Sequence, residues 1–570
     1  MPKDAVPTRP FQEAHVEGNK IPNAVDPPGG RASVEEEVSE FLGTPGIVGP
    51  GAPQIHETHI ARVFVGEDRA LKVKRHVNLA FVDFTTLQQR QAACESEIAV
   101  NRDNAPDIYK RVVAITRQAD GTLAIGGSGT PIEWAVEMQA FGEGNLLSDR
   151  AMHGPLPTAL VKQTADVVFA MHGRAARVLT TNAVAKMRSI VIEVADVCRT
   201  QREILDATAI EQWSDAARAN IEQQEPLLLC RARAGAVRRC HGDLHLANIV
   251  VWKDRPVLFD ALEFSKEMAT IDTLYDLAFL LMDLMHHHQR PAANLIMNRY
   301  IWRTGYNNTK GVQSGSESGA ADAHTGDVDD IKGLALLPLF LSCRAGIRAM
   351  VEATRAATSD LSPSQRSTHI ERANNYLVSA IKYLTPPPPR LVAIGGLSGT
   401  GKSTLAAALA PQLGEAIGAL HLRSDLERKA IMGVVETQRL PPQTYTREAS
   451  QRVYERLVQR AAAGIAAGQS VIVDAVFAEA DERARLAEIA TDYQAPFAGL
   501  WLEADPETLR HRVDRRTGDA SDATSFVVDR QLGYQIGSLD PAWTKIDAGG
   551  GSNETLARGA SVLGIKTHND

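Results

Sequence analysis

Apolar and polar side chains alternate through ARVFV and ALKVK on either side of Gly66-Glu67-Asp68, and this period of two predicts a β-hairpin over residues 61–74. A helix-period stretch, FTTLQQRQAACESEIAVNR, comes next, followed by the strand-like runs IYKRVVAITRQADGTLAIGG and EWAVEMQAF. Two or three hairpins around one helix predict a small β-rich lobe. From about residue 150 to 385 the pattern is mostly helical, interrupted by a compact strand-loop-strand region around residues 240–264. Beyond residue 390, LVAIGG, LHLRSD, SVIVDAV and FAGLWLEAD are short apolar strands separated by helical segments, the alternation of a parallel α/β sheet.

Three stretches break these patterns. Residues 1–36 are rich in Pro, Gly and charge and predict a flexible leader, with VEEEVSEFL starting a short helix at its end. The segment YNNTKGVQSGSESGAADAHTGD, about residues 306–326, lacks apolar side chains and predicts a disordered insertion. Pro386, Pro387, Pro388 and Pro389 form a stiff extended linker, residues 386–390, that separates a domain over residues 37–385 from one over 391–565.

Bulk composition agrees with two folded units. A chain of 570 residues exceeds one hydrophobic core, and 44% hydrophobic with 23% charged residues is ordinary for folded domains. The net charge of −8 argues against a protein whose main business is coating nucleic acid. Cys94, Cys198, Cys230, Cys240 and Cys343 have neither CxxC nor zinc-ligand spacing and read as reduced and structural. With no signal-peptide stretch and no membrane-length apolar run, the expected location is the cytoplasm.

The run Gly396-Leu397-Ser398-Gly399-Thr400-Gly401-Lys402-Ser403-Thr404 satisfies GxxxxGK[ST] between an apolar strand and the helical STLAAALAPQL. Backbone N–H groups freed by the glycines curl around phosphate oxygens, Lys402 reaches the β/γ-phosphates, and Ser403 can ligate Mg²⁺. Asp474, at the end of SVIVDAV, is placed to hold the same ion through water. Asp425 follows the second strand. It reads either as a carboxylate facing the acceptor hydroxyl or as the N-cap of LERKAIMG. Arg510, Arg512, Arg515 and Arg516 cluster after the fourth strand, as a nucleotide-covering lid or as a solvated helix face.

Upstream, His241-Gly242-Asp243-Leu244-His245-Leu246-Ala247-Asn248 fits HxDxxxxN, and Asp260 closes the strand of VLFD. In that arrangement an Asp takes the acceptor proton while an Asn and a second Asp hold Mg²⁺. ALKVK offers Lys72 as the phosphate-pairing lysine, with Lys74 on the same strand face as its alternative. Glu97 is the expected helix partner and Glu95 the second choice. There is no GxGxxG before the first hairpin and no APE-like segment, which argues against a protein kinase.

HGDLHLANIV resembles the aminoglycoside phosphotransferase and choline-kinase branch, and Ser424-Asp425 resembles the acceptor-binding carboxylate of small P-loop kinases such as zeta-toxin-like kinases. Over about residues 37–565 the chain resembles bacterial proteins in which an aminoglycoside phosphotransferase-like domain is fused to an AAA-type or zeta-toxin-like P-loop domain. The resemblance implies a bilobal α+β kinase-like domain followed by an α/β parallel-sheet P-loop domain. It also implies two ATP and Mg²⁺ sites acting on small-molecule hydroxyls. Asp243 is then the base, Asn248 and Asp260 are metal ligands, His241 organises the loop, and Asp276 fixes it. The alternatives are a zeta-toxin-like or polynucleotide-end kinase in the C-terminal half, or a nucleotide-sensing regulatory ATPase.

Overall fold

The computed structural model describes residues 33–79, 82–313, 330–359, 361–414, 416–516 and 518–565. Helix α1 (Val34–Gly43) opens on a capping box: the Ser33 hydroxyl accepts the Glu36 N–H and the Glu36 carboxylate accepts the Ser33 N–H. Glu35 in its first turn pairs with Arg62 and Arg75. Residues 33–36 therefore belong to the folded lobe, which shortens the leader expected over 1–36, and residues 1–32 lie outside the described residues.

The first lobe is built from β1 (Gln54–Glu57), β2 (Ala61–Val65), β3 (Arg69–Lys74), α2 (Leu87–Asn101), β4 (Tyr109–Arg117), β5 (Leu123–Ile125) and β6 (Thr130–Gln139). Its six strands form one antiparallel sheet in the order β1-β2-β3-β6-β4-β5. The predicted hairpin is β2–β3, with Val65 opposite Ala70. Helix α2 is capped by Thr86 and Gln89 and buries Cys94 and Ile98 against Ala70, Val136 and Met138 of the sheet.

The second lobe is helical: α3 (Thr158–Arg174), α4 (Ala183–Thr200), α5 (Ala207–Arg233), α6 (Thr273–His286), α7 (Arg290–Gln313), α8 (Leu337–Ala356) and α9 (Pro363–Tyr383). Between α5 and α6 runs an antiparallel ribbon, β7 (Ile249–Trp252) and β8 (Arg255–Leu258). Among the described residues one helical run, Asp330–Ala356, is long and apolar enough to cross a membrane, and 67% of its apolar window is buried inside this lobe. The backbone of α7 continues to Gln313, so residues 306–313 are helical where an insertion was expected. Residues 314–326 of that insertion lie outside the described residues.

The C-terminal half contains β9 (Leu391–Gly396), α10 (Lys402–Leu409), β10 (Leu420–Arg423), α11 (Ser424–Ile431), α12 (Arg447–Ala466), β11 (Val471–Asp474), α13 (Ala480–Asp492), β12 (Phe497–Glu503), α14 (Pro506–Asp514), α15 (Ser525–Leu532), β13 (Trp543–Asp547) and α16 (Ser552–Leu563). Its five strands are all parallel, in the order β10-β11-β9-β12-β13. Strand β13 escapes the sequence pattern because WTKID commits only Trp543 and Ile546 to the core.

The proline linker does not keep the halves apart. One contiguous set of buried side chains runs from Ile296, Met297, Tyr300 and Ile301 of α7 into Leu420, Leu422, Ile431, Val453 and Leu457 of the P-loop half. Polar contacts reinforce it. Arg299 bridges Asp166 of α3 and Glu436, and the Arg456 guanidinium donates to the Gly305 carbonyl. A stiff connector fixes separation only where neither partner offers an apolar face, and α7 offers one.

Candidate functional site

Strand β3 turns Lys72 and Lys74 to the same face, where α2 presents Glu97. The Lys72 Nζ lies 2.9 Å from Glu97 Oε1 and 2.5 Å from Asp260 Oδ1. Lys74 pairs with the other oxygen, Glu97 Oε2, at 2.6 Å, and with Glu263 just beyond Asp260. The first-choice lysine and glutamate thus meet Asp260, while Glu95 faces Gln91 on the exposed side of the helix. Burial alone would raise the Glu97 carboxyl, but the two ammonium groups hold it down to about 2. Burial raises Glu263, and Lys74 opposes that only in part. Asp260 adopts a left-handed backbone, φ 59°, steadied by its N–H donating to the Tyr109 hydroxyl.

The loop over residues 241–248 is held by buried groups. Asp276, fully buried in the first turn of α6, accepts the N–H groups of His241 and Gly242 at 3.1 and 2.9 Å. Gly242 has φ 86°, and a Cβ there would press on Ala269 and Leu262 at 3.1 Å. The His241 Nε2–H donates to the Phe259 carbonyl, tying the loop to β8. His172, Cys240 and Asp276 lie close enough to suggest a metal cluster. Both His172 nitrogens are committed, however, to Asp276 and to the Tyr300 hydroxyl of α7, which makes this a hydrogen-bonded brace.

A cavity of about 790 Å³ lies beside the same loop, its wall including His245, Ala247, Asp283, His286, Arg348 and Tyr376. The Asn248 amide donates to the Asp243 carboxylate and to its carbonyl, both at 2.9 Å, which leaves the Asn248 side-chain oxygen as a ligand. Together with the partly exposed Asp260 carboxylate it gives the all-oxygen donor set that Mg²⁺ prefers. His245 lies beside this site, although the motif assigns it no catalytic role. Its Nε2 lies 3.4 Å from Asp243 Oδ2, and its Nδ1 accepts the Ala247 N–H. Burial favours the neutral acid at Asp243, but His245 and then His241 hold the carboxyl well below its usual range.

In the C-terminal half the strand β9 ends in a loop that needs its glycines. Gly396 (φ 134°) and Gly399 (φ 90°) would drive a Cβ to 2.5 and 2.6 Å from the carbonyls of Leu502 and Leu509. Gly401 is the left-handed N-cap of α10 and leads into Lys402, Ser403 and Thr404. Thr400 is buried, and its hydroxyl braces the Leu397 carbonyl, so only its backbone can face a ligand. Lys402 Nζ folds onto the same carbonyl at 2.9 Å. The Ser398 N–H is taken at 2.7 Å by the Gln531 side-chain oxygen of α15. Gln531 lies 133 residues from Ser398 and carries no motif, so no sequence signal marks it.

Asp425 sits in the first turn of α11 without capping it, since the N-cap is Arg423 and no side chain caps that end. Its charge, with that of Asp474, raises the Lys402 ammonium against the larger lowering by burial. Asp474, 3% exposed, accepts from His421 Nε2 at 3.2 Å. Burial raises its carboxyl, but His421, Arg423 and Lys402 bring it down to about 2. The Ser403 hydroxyl and the Asp474 carboxylate are oxygen donors that fit Mg²⁺. Of the arginines, Arg516 reaches Asp519 and lies close enough to Lys402 to lower it. Arg512 spends its guanidinium on the carbonyls of Ala548, Gly549 and Gly550 after β13, which removes it from the phosphate end. Arg510 pairs with Asp529 on the surface. His421 and Arg423 were missed, although polar residues at alternate positions of the apolar LHLR were a visible sign.

Known proteins match the two halves separately. Residues 109–311 match the phosphotransferase enzyme family, and residues 391–541 match an AAA domain. Uncharacterized proteins of Mycobacterium tuberculosis and Mycobacterium bovis are 25% identical over 503 residues, covering 85% of this chain and 92% of theirs. Among solved structures, an amicoumacin kinase in complex with AMP-PNP, Ca²⁺ and amicoumacin is 12% identical, covering 60% of this chain and 93% of its own, with a TM-score of 0.34. A choline/ethanolamine kinase family protein from Mesorhizobium loti is 11% identical over 62% of this chain and 99% of its own, with a TM-score of 0.31. A sugar kinase from a Janibacter species is 23% identical over 31% of this chain and 96% of its own, with a TM-score of 0.25. The chain thus carries a match to the phosphotransferase enzyme family over residues 109–311, followed by a match to an AAA domain over residues 391–541.

Proposed function

We propose that both halves transfer the γ-phosphate of ATP to hydroxyl groups of small molecules, within the domain limits 37–385 and 391–565. The observation that carries this reading is that Lys72 and Glu97 meet Asp260, while Asn248, whose carbonyl accepts the N–H of Phe259 next to Asp260, holds the Asp243 carboxylate. Lys72 pairs with phosphate oxygens while Glu97 keeps it extended. Asp243 takes the acceptor proton as the hydroxyl oxygen bonds to the γ-phosphorus and the bond to the bridging oxygen breaks, releasing ADP. Asn248 and Asp260 would hold Mg²⁺, which would supply charge neutralisation on the phosphates.

In the second site the P-loop amides and Lys402 hold the phosphates, Ser403 and Asp474 would hold Mg²⁺, and Asp425 orients the acceptor hydroxyl. The free position of Asp425 in the first turn of α11 supports that role. A cytoplasmic location suits an enzyme that draws on ATP. A nucleotide-sensing role is favoured by one observation, that α7 touches structures under both sites through Tyr300 and Asn298.

The test is incubation of the full chain with ATP, Mg²⁺ and a metabolite extract, reading mass spectra for species that gain phosphate. The product of the first site should disappear with Asp243→Asn and persist with Asp425→Asn. Phosphate release to water alone, with no phosphorylated metabolite, would overturn the transfer reading.

A further inference from the structure

Strand β10 is the edge strand of the P-loop sheet, and an edge leaves a row of unpaired backbone groups. Here α7 of the other domain covers it. Asn294, 4% exposed, donates to the carbonyls of Ile417 and Ala419 at 3.1 and 3.0 Å. Asn298 donates to the Ala419 carbonyl at 3.1 Å and accepts the His421 N–H at 2.6 Å. Two asparagines on one helix thus stand in for a neighbouring strand, and the group they fix is the backbone of His421.

His421 lies opposite Ile472 in the parallel register of β10 and β11, which puts Asp474 two positions further along on the same sheet face. Its ring reaches across that diagonal, Nε2 to Asp474 Oδ2 at 3.2 Å, with both side chains almost fully buried. A carboxylate oxygen only accepts, so Nε2 carries the hydrogen, and one Asp474 oxygen is occupied while the other stays available. A hydrogen bond of this kind to a ligating carboxylate sets its orientation and its affinity for the ion.

We propose that His421 is a positioning residue for Asp474, and that Asn298, contributed by the kinase-like domain, holds His421 in place, so that the P-loop site is completed by the other domain. This rests on the reading of Asp474 as a metal ligand of the P-loop site. The inference adds a requirement that neither motif contains, because Asn298, which holds the metal ligand's partner His421, is on a helix of the neighbouring domain.

The test uses the full chain carrying Asp260→Asn, so that the first site does not report, and measures the Mg²⁺ concentration for half-maximal binding of a fluorescent ATP analogue. His421→Ala should raise that concentration by about 10-fold or more, the usual effect of losing such a partner. His421→Gln, which keeps an N–H donor at similar reach, should restore most of it. Asn298→Ala should shift it in the same direction and add nothing in the His421→Ala background, since it acts through His421. An unchanged Mg²⁺ requirement in His421→Ala, beside a raised one in Asp474→Asn, would overturn the inference alone. If Asp474→Asn leaves the requirement unchanged, the metal-ligand reading falls and takes the inference with it. If His421→Ala fails to fold, the comparison of His421→Gln with Asn298→Ala decides: equal loss in both overturns the proposal.

Discussion

The side-chain oxygen of Asn298 accepts the backbone N–H of His421 at 2.6 Å, across the boundary that the proline linker marks in the sequence. With Asn294 it satisfies backbone groups that an isolated P-loop domain would expose.

The halves should therefore be interdependent. Cutting at residue 389 exposes the apolar face of α7 and the edge of β10, and each buried hydrogen bond lost costs about 1 kcal/mol beyond the apolar term. Residues 390–570 expressed alone should melt well below the full chain, and co-expression with residues 33–389 should restore a joint complex on size exclusion. Two independent monomers with unchanged melting temperatures would contradict this.

The pair of His245 and Asp243 predicts a pH effect. Asp243 acts as a base only when ionised, and His245, His241 and Arg344 hold its carboxyl low against burial. Removing His245 leaves burial less opposed, so the carboxyl rises. His245→Ala should move the acid limb of the kcat/KM profile of the first site to higher pH, leaving the alkaline side in place. An acid limb at its original position would show that His245 only caps its turn.

The two lysines of β3 should separate by phenotype. Lys74 is 1% exposed, and its loss leaves Glu263 without its partner beside Glu97. Lys74→Met should destabilise the fold by about 3–5 kcal/mol in chemical denaturation, and adding Glu263→Gln should recover part of it. Lys72→Met leaves Glu97 with Lys74 and should act chiefly on ATP affinity and turnover. Equal stability loss from both would contradict the division of labour.

Asp425 gives a test of the second site free of folding effects. Because α11 is not capped by its side chain, Asp425→Asn should leave the melting temperature within about 1 °C while abolishing transfer to the acceptor. Lys402→Ala should weaken nucleotide binding as well, because that ammonium pairs with the phosphates before any transfer. Transfer that survives Asp425→Asn would remove the residue from the site.

Contiguous chemistry was legible in the sequence: the phosphate loop from Gly396 to Ser403, the run from His241 to Asn248, and the hairpin carrying Lys72. A phosphate cradle is made of successive backbone N–H groups and a catalytic loop of neighbouring side chains, so local spacing specifies both. The sequence ranks Lys72 before Lys74 without separating their surroundings, because two residues apart on a strand they share a face; that Lys72 meets Asp260 and Lys74 meets Glu263 is a tertiary fact. Gln531 on Ser398, His421 on Asp474 and Asn298 on His421 are likewise tertiary facts, each joining residues far apart in the chain through a single hydrogen bond. The proline run encoded a stiff connector, but whether the halves touch was decided by the apolar face of α7, which water penalises until another surface covers it.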